Sequence, residues 1–280
     1  MSGSYWEAVR SQGLGVPSDR PLVELTTELT RMLGDTDPDI RDGIAYPTLA
    51  TWITRGVYDD LLSGLGDGMA SGLTSGLGEI GTDTVFRRSF SALVLGECIG
   101  RDNERPLVPG GKVLEWGDRL ATWMLREQDL RGYVPGKGWA HAIAHGADAL
   151  SMLAASPHVA VPEMTVILDV IADRLLARAE TAFTHGECDR LARATMTVLR
   201  RNQVPLSVVE PWIRRIAAAA ARAQTTGPGE AYLQAGNAEA FLRALYLQLA
   251  LAPAPPAIRS DLLLVLVDVL RRTNAAFFAV

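Results

Sequence analysis

Glycine and proline cut this chain into about a dozen segments of helix length, each repeating apolar residues at a period near 3.6. Ser4-Tyr-Trp-Glu7 reads as a capping box, with Gly13 as the stop. Ser18 or Asp19 is expected to cap a second helix that has Pro21 in its first turn and ends at Gly34. Asp37-Pro38 starts a third, running through Ile53 with a bend at Pro47. Further helices are expected near 58–79, 83–100, 112–128, 139–155, 162–180, 186–202, 206–224, 231–251 and 257–273. No β-branched alternation of strand length is bounded by turns. The fold class is therefore all-α. Similar helix lengths and short loops suggest a HEAT-like helical solenoid, an α-α superhelix of about twelve helices, in a single domain over residues 1–280. No fixed-period repeat is visible, so this architecture rests on lengths and periodicity.

Composition narrows the function classes. The chain has 280 residues, is 48% hydrophobic and carries a net charge of −5. Of its 27 basic residues only Lys112 and Lys137 are lysines. Residues 1–160 hold 14 basic and 21 acidic groups, and residues 161–280 hold 13 and 11, so neither half offers a bulk phosphate-binding surface. A nucleic-acid partner, including a repair role, is not expected. The Ala, Arg and Gly bias fits a high-GC bacterial coding sequence. The N-terminus lacks an apolar signal region, and the longest apolar run, Leu262 to Val267, is too short to span a bilayer, so a cytoplasmic location is expected. Cys98 lies in an apolar helix and Cys188 lies between two acids, which points to inert thiols.

One segment breaks helix rules. Gly64, Gly68, Gly72 and Gly76 recur every four residues beside Leu61, Leu65, Met69, Leu73 and Leu77. Each internal glycine costs about 1 kcal/mol against alanine. The row reads as a ridge that lets another helix approach closely, as a mobile segment over a pocket, or as a non-helical loop.

The densest set of special residues runs from Asp129 to Ala155. Glycines and Pro135 keep Arg131–Gly138 out of a helix. A helix starting at Trp139 would put Trp139, Ile143 and Leu150 on one side and His141, His145 and Asp148 on the other. Small residues flank the histidine stripe, which suggests an enclosed polar surface. His141, His145 and Asp148 are the candidate catalytic residues, with Asp148 placed to orient His145. Glu97, Asp129, Glu187 and Asp189 are further acids that could line the cavity. No metal is expected. The position after His141 is Ala142 where a zinc peptidase needs Glu, and Asp148 lies about 10 Å of rise from His141. Trp139 reads as a core anchor or as a stacking platform. The plainest alternative is that both histidines make structural hydrogen bonds.

The segment Gly138-Trp-Ala-His-Ala-Ile-Ala-His-Gly-Ala-Asp148 resembles an uncharacterised bacterial family of all-helical, HEAT-like proteins, a domain of unknown function. The resemblance extends to Val85–Leu93, Asp129–Tyr133, Glu187–Ala192 and Asn237–Leu247. It implies no reaction. It does draw Arg131, Tyr133, Trp139, Glu187, Arg190, Asn237 and Arg243 in as candidate ligand-binding residues, with Arg193 beside them. Members usually carry a more charged helix where this chain has its glycine row.

Two readings of function follow. The first is a protein whose polar groove binds a small polar ligand, a peptide or a partner protein. The alternative is an enzyme acting on a small polar or anionic metabolite, as in natural-product biosynthesis, with His141 and His145 as acid–base groups. No cofactor is implied. Leu262 to Leu270 is apolar nearly all round and Ala275–Val280 is apolar too, so either the tail folds back over the last helix or, the favoured outcome, a homodimer or hetero-oligomer forms through the C-terminal helix.

Overall fold

A computed structural model describes residues 2–179, 181–222 and 230–278. The fold is all-α. Among the described residues the only strands are β1 (Tyr133–Val134) and β2 (Gly138–Trp139), paired antiparallel. The chain divides into two compact units, residues 1–158 and 159–280.

The first unit contains α1 (Ser2–Ser11), α2 (Leu22–Met32), α3 (Pro38–Ile40), α4 (Tyr46–Thr54), α5 (Leu62–Gly72), α6 (Thr84–Glu104), α7 (Gly110–Arg126) and α8 (Ala142–Ala155). Gly13 ends α1 in the left-handed region, φ 78°, as expected; the Ser4 side chain lies outside the described residues. Pro21, rather than Ser18 or Asp19, precedes α2, and Asp19 instead accepts a hydrogen bond from the Tyr5 hydroxyl at 2.9 Å. The bend expected at Pro47 is a π-helical turn, Arg41–Ala45, joining α3 to α4. Proline has no N–H and its ring crowds the carbonyl four residues back, so the ladder widens just before it. The Tyr46 N–H accordingly reaches back five residues to the Arg41 carbonyl.

α6 is the hub of this unit. It packs on α4, α5, α7 and α8, and α5 and α8 also pack on α7. Trp6, Trp52, Trp116, Trp123, Phe86 and Phe90 are fully buried in its core. At Gly96 an added Cβ would lie 3.1 Å from the Ala149 Cα, so α6 and α8 approach almost backbone to backbone.

The second unit contains α9 (Val161–Leu176), α10 (Glu187–Arg200), α11 (Leu206–Arg222), α12 (Glu230–Leu251), α13 (Arg259–Thr273) and α14 (Ala275–Phe278). α12 packs on α9, α10, α11 and α13. Trp212 and Phe241 meet edge to face at 5.8 Å in its core, and the Trp212 indole donates to the Leu168 carbonyl at 2.7 Å. Along α13, Leu262, Val265, Leu266 and Val269 are buried, while Leu264 is 71% exposed. Among the described residues, no helix is long and apolar enough to cross a membrane.

Candidate functional site

The site grows out of a hairpin. β1 and β2 pair Tyr133 with Trp139, Gly136 and Gly138 take positive φ, and the Ala140 and His141 N–H groups donate to Gly132 and Arg131 carbonyls at 2.8 and 3.1 Å. His141 itself is left-handed, φ 49°, and its carbonyl accepts the His145 N–H at 2.9 Å to open α8. The helix expected from Trp139 therefore begins at Ala142. Trp139 is not the core anchor that helical periodicity suggested: it lies on β2 and is 39% exposed, because left-handed Gly138 and His141 break the helical phase.

Arg41 anchors the hairpin from the π-turn. Its guanidinium is fully buried, stacks over Phe86 and Phe90 at 4.1 and 5.0 Å, and donates to the Asp35 and Lys137 carbonyls, each at 2.7 Å. Burial pulls it below the usual guanidinium range, opposed by Asp42, which pairs with it at 2.7 Å. A Cβ at Gly138 would sit 2.9 Å from Pro38 and 3.0 Å from Arg41 Nη2, on a backbone with φ 77°. Gly138→Ala is expected to cost about 1–2 kcal/mol from the left-handed backbone alone, checked by urea denaturation.

Aromatic and imidazole rings then step inward. Tyr133, 51% exposed, meets Trp139 edge to face at 5.1 Å. Trp139 stacks on His141 at 4.3 Å and 16°. His141 meets His145 at 5.8 Å, and His145 meets Phe90 at 4.8 Å. Both imidazoles are 6% exposed. The Ser89 hydroxyl, fully buried on α6, donates to the Ala140 carbonyl and lies 2.9 Å from His145 Nδ1. With its one proton on Ala140, Ser89 accepts from Nδ1–H, which in the neutral ring puts the lone pair of His145 on Nε2. Asp148 follows His145 by one turn and is half-buried.

Two further candidates, Arg131 and Asp129, bond one another. Arg131 donates through Nε and Nη2 to the fully buried Asp129 carboxylate at 2.8 and 2.6 Å, and through Nη2 to the Thr82 carbonyl at 2.6 Å. That hydrogen bond to Asp129 raises its pKa. Asp129 also accepts the Gly81 N–H at 3.0 Å. Glu97 accepts from the Tyr46 hydroxyl at 2.8 Å.

Glu187, Arg190, Asn237 and Arg243 fall in the second unit, so the candidates form two groups. Glu187 and Asn237 are buried and accept the His185 and Phe183 N–H groups, each at 2.7 Å, which holds the loop before α10. Arg190 is half-buried on α10, and Arg193 is exposed one turn on. Exposed Arg243 bonds Glu239 at 3.0 Å and Asn274, and borders a cavity of about 380 Å³ shared with Thr184, Cys188, Asp189 and Leu247. Burial pushes the Cys188 thiol up to about 12 and raises Cys98 further, so neither is a ready thiolate. Among the described residues no group of three or more His, Cys, Asp or Glu side chains is placed to hold a metal ion.

Ser89, Phe90 and Arg41 escaped the sequence reading as site residues. Ser89 and Phe90 lie in Val85–Leu93, one of the resembling segments, which was the available signal. Arg41 gave none, since its partner Lys137 is 96 residues away.

No curated protein and no solved structure matches the chain. A family model does: the one described as Protein of unknown function (DUF2785) matches residues 73–247. That span begins just after α5 and takes in the hairpin, both histidines, Ser89 and the loop before α10. With well over half its length inside the match, the chain belongs to the DUF2785 family, whose function is unknown.

Proposed function

We propose that the Tyr133–Trp139–His141–His145 cluster binds a small polar ligand with one flat or apolar part. The observation that carries this reading is the inward gradient of the rings: two exposed aromatics lead to two nearly buried imidazoles, one with its tautomer set by Ser89. Exposed aromatics offer stacking area, and the imidazoles behind them add polar ring edges. Thermal-shift screening of small carboxylates, amines, sugars and nucleotides is the test. At least one class is expected to stabilise the wild type, and Trp139→Ala and His145→Gln are each expected to weaken it about tenfold or more. No stabilising compound, or equal shifts in the variants, would overturn the reading.

Acid–base catalysis at the same histidines is the second reading, favoured by the fixed tautomer, which leaves His145 Nε2 as the base in the neutral ring. Turnover of a bound compound by wild type, lost in His145→Gln while binding persists, separates it from binding alone.

A partner at the C-terminal helices is a further part of this reading, supported by exposed Leu264, Phe277 and Phe278. Size-exclusion with light scattering should give a mass above 30.1 kDa, reduced by Leu264→Asp; a monodisperse monomer sinks the idea.

A further inference from the structure

The first unit holds a cavity of about 310 Å³ whose walls include neither His141 nor His145. One wall is α2, through Leu22, Val23, Thr26, Thr27 and Thr30. The other is Tyr58 with α5, through Leu61, Gly64, Leu65, Gly68 and Met69, and Arg87 of α6 completes it. The threonine hydroxyls turn back on their own helix: Thr26 and Thr27 donate to Leu22 and Val23 carbonyls at 2.7 Å, and Thr30 to Thr27 at 3.0 Å. Thr26 also shares a hydrogen bond with the Tyr58 hydroxyl at 2.9 Å. What the walls present is therefore largely methyl, methylene and ring surface. Val23 and Leu61 are exposed on the rim.

Two features of this groove are unexplained by the chain's own packing. The first is Arg87. It is partly buried, and among the described residues no carboxylate lies within ion-pair distance and no acceptor takes its protons, so burial alone acts on it. The other partly buried arginines of the first unit, Arg20, Arg101 and Arg131, all have carboxylate partners. One turn on, the fully buried Ser91 Oγ has no hydrogen-bond partner, and it lies with Arg87 Nε against Gly72. The second is the glycine row. Gly72 is explained, since a Cβ would strike Ser91 at 2.2 Å, as is Gly66 beside the row, where it would strike Trp116 at 2.2 Å. At Gly64 and Gly68 a Cβ would meet nothing within 4 Å. Alanine would fit both and favour the helix.

We propose that this groove binds an aliphatic carboxylate. The chain would lie along the bare Gly64–Gly68 face between α2 and α5, and the carboxylate would pair with Arg87. A guanidinium without a counter-ion at an apolar cavity is the charge complement of such an anion, and its fork suits a carboxylate bidentately. The glycines keep the channel open where a longer side chain would fill it.

Isothermal titration of decanoate into the full chain, below the micelle threshold, tests this, with decanol as the uncharged control. Wild type is expected to bind decanoate saturably and to prefer it to decanol. Gly68→Leu and Gly64→Leu, whose side chains enter open space, are expected to fold, by circular dichroism, and to abolish binding. Arg87→Gln should weaken decanoate about tenfold or more and leave decanol unchanged. Absent saturation, equal affinity for decanol, or binding that survives both leucines in folded protein overturns the proposal. So does a dimer, by light scattering, that either leucine dissociates while decanoate fails to bind, because the groove would then hold a second copy of the chain.

Discussion

Glu127→Ala is expected to destabilise the first unit by about 3–5 kcal/mol, the range for removing one partner of a buried ion pair. Glu127 and Arg88 are both fully buried. Arg88 Nε and Nη2 donate to the two carboxylate oxygens at 2.6 and 3.0 Å. The same oxygens take the Trp123 indole N–H and the Gln128 and Asp129 backbone N–H groups, each at 3.0 Å. Arg88 Nη1 reaches the Ser75 and Gly76 carbonyls and the Thr84 hydroxyl, each at 2.8 Å. The pair thus ties α6 to the end of α7 and to the segment after α5. Removing the carboxylate leaves a buried cation and three orphaned donors, each of which adds a desolvation penalty. Urea denaturation monitored by circular dichroism gives the value. A loss of about 1 kcal/mol or less, typical of an exposed pair, would show that the site opens to water. The double variant Arg88→Met/Glu127→Leu should recover part of the loss, since an apolar pair removes the uncompensated charge.

Alanine scanning of α5 is expected to split in sign. Gly66→Ala puts a Cβ 2.2 Å from the Trp116 ring, which is fully buried and pinned by its indole bond to Asp67 at 2.9 Å. Overpacking of that kind costs about 1–3 kcal/mol, more than the helix-propensity gain offsets. Gly68→Ala meets nothing within 4 Å and should gain up to about 1 kcal/mol. Both values come from the same urea melts. Equal effects at the two positions would mean that α5 does not sit with Gly66 against Trp116. The glycine row is then neither one ridge nor one lid: two of its residues, Gly64 and Gly68, face the open groove, Gly72 packs on Ser91, and Gly76 lies beyond the helix with φ 61°.

How much of this was legible in the sequence differs from element to element. α10 and α13 could be read because a helix with a buried face repeats apolar residues at its own period, and Leu262, Val265, Leu266 and Val269 on α13 show it. The histidine segment was legible as unusual, since a helix side with two imidazoles and small neighbours is not an ordinary solvated face. Its geometry was not legible. Periodicity assumes an unbroken helix, and the left-handed backbone at Gly138 and His141 carries Trp139 out of phase and into solvent.

Sequence by itself determined the all-helical class, the chain's punctuation and the stretch that holds the candidate site, because each depends on local propensity and spacing within a few turns. Tertiary structure alone decided which groups complete that site. Ser89 meets His145 across 56 residues, Arg41 holds the Lys137 carbonyl across 96, and Arg88 finds Glu127 across 39. It also decided that Arg131 turns onto Asp129 and Thr82 while Arg87 is left without a counter-ion beside an apolar groove. A polar side chain's partner is set by where the fold brings distant backbone and charge together, and no local pattern encodes that distance.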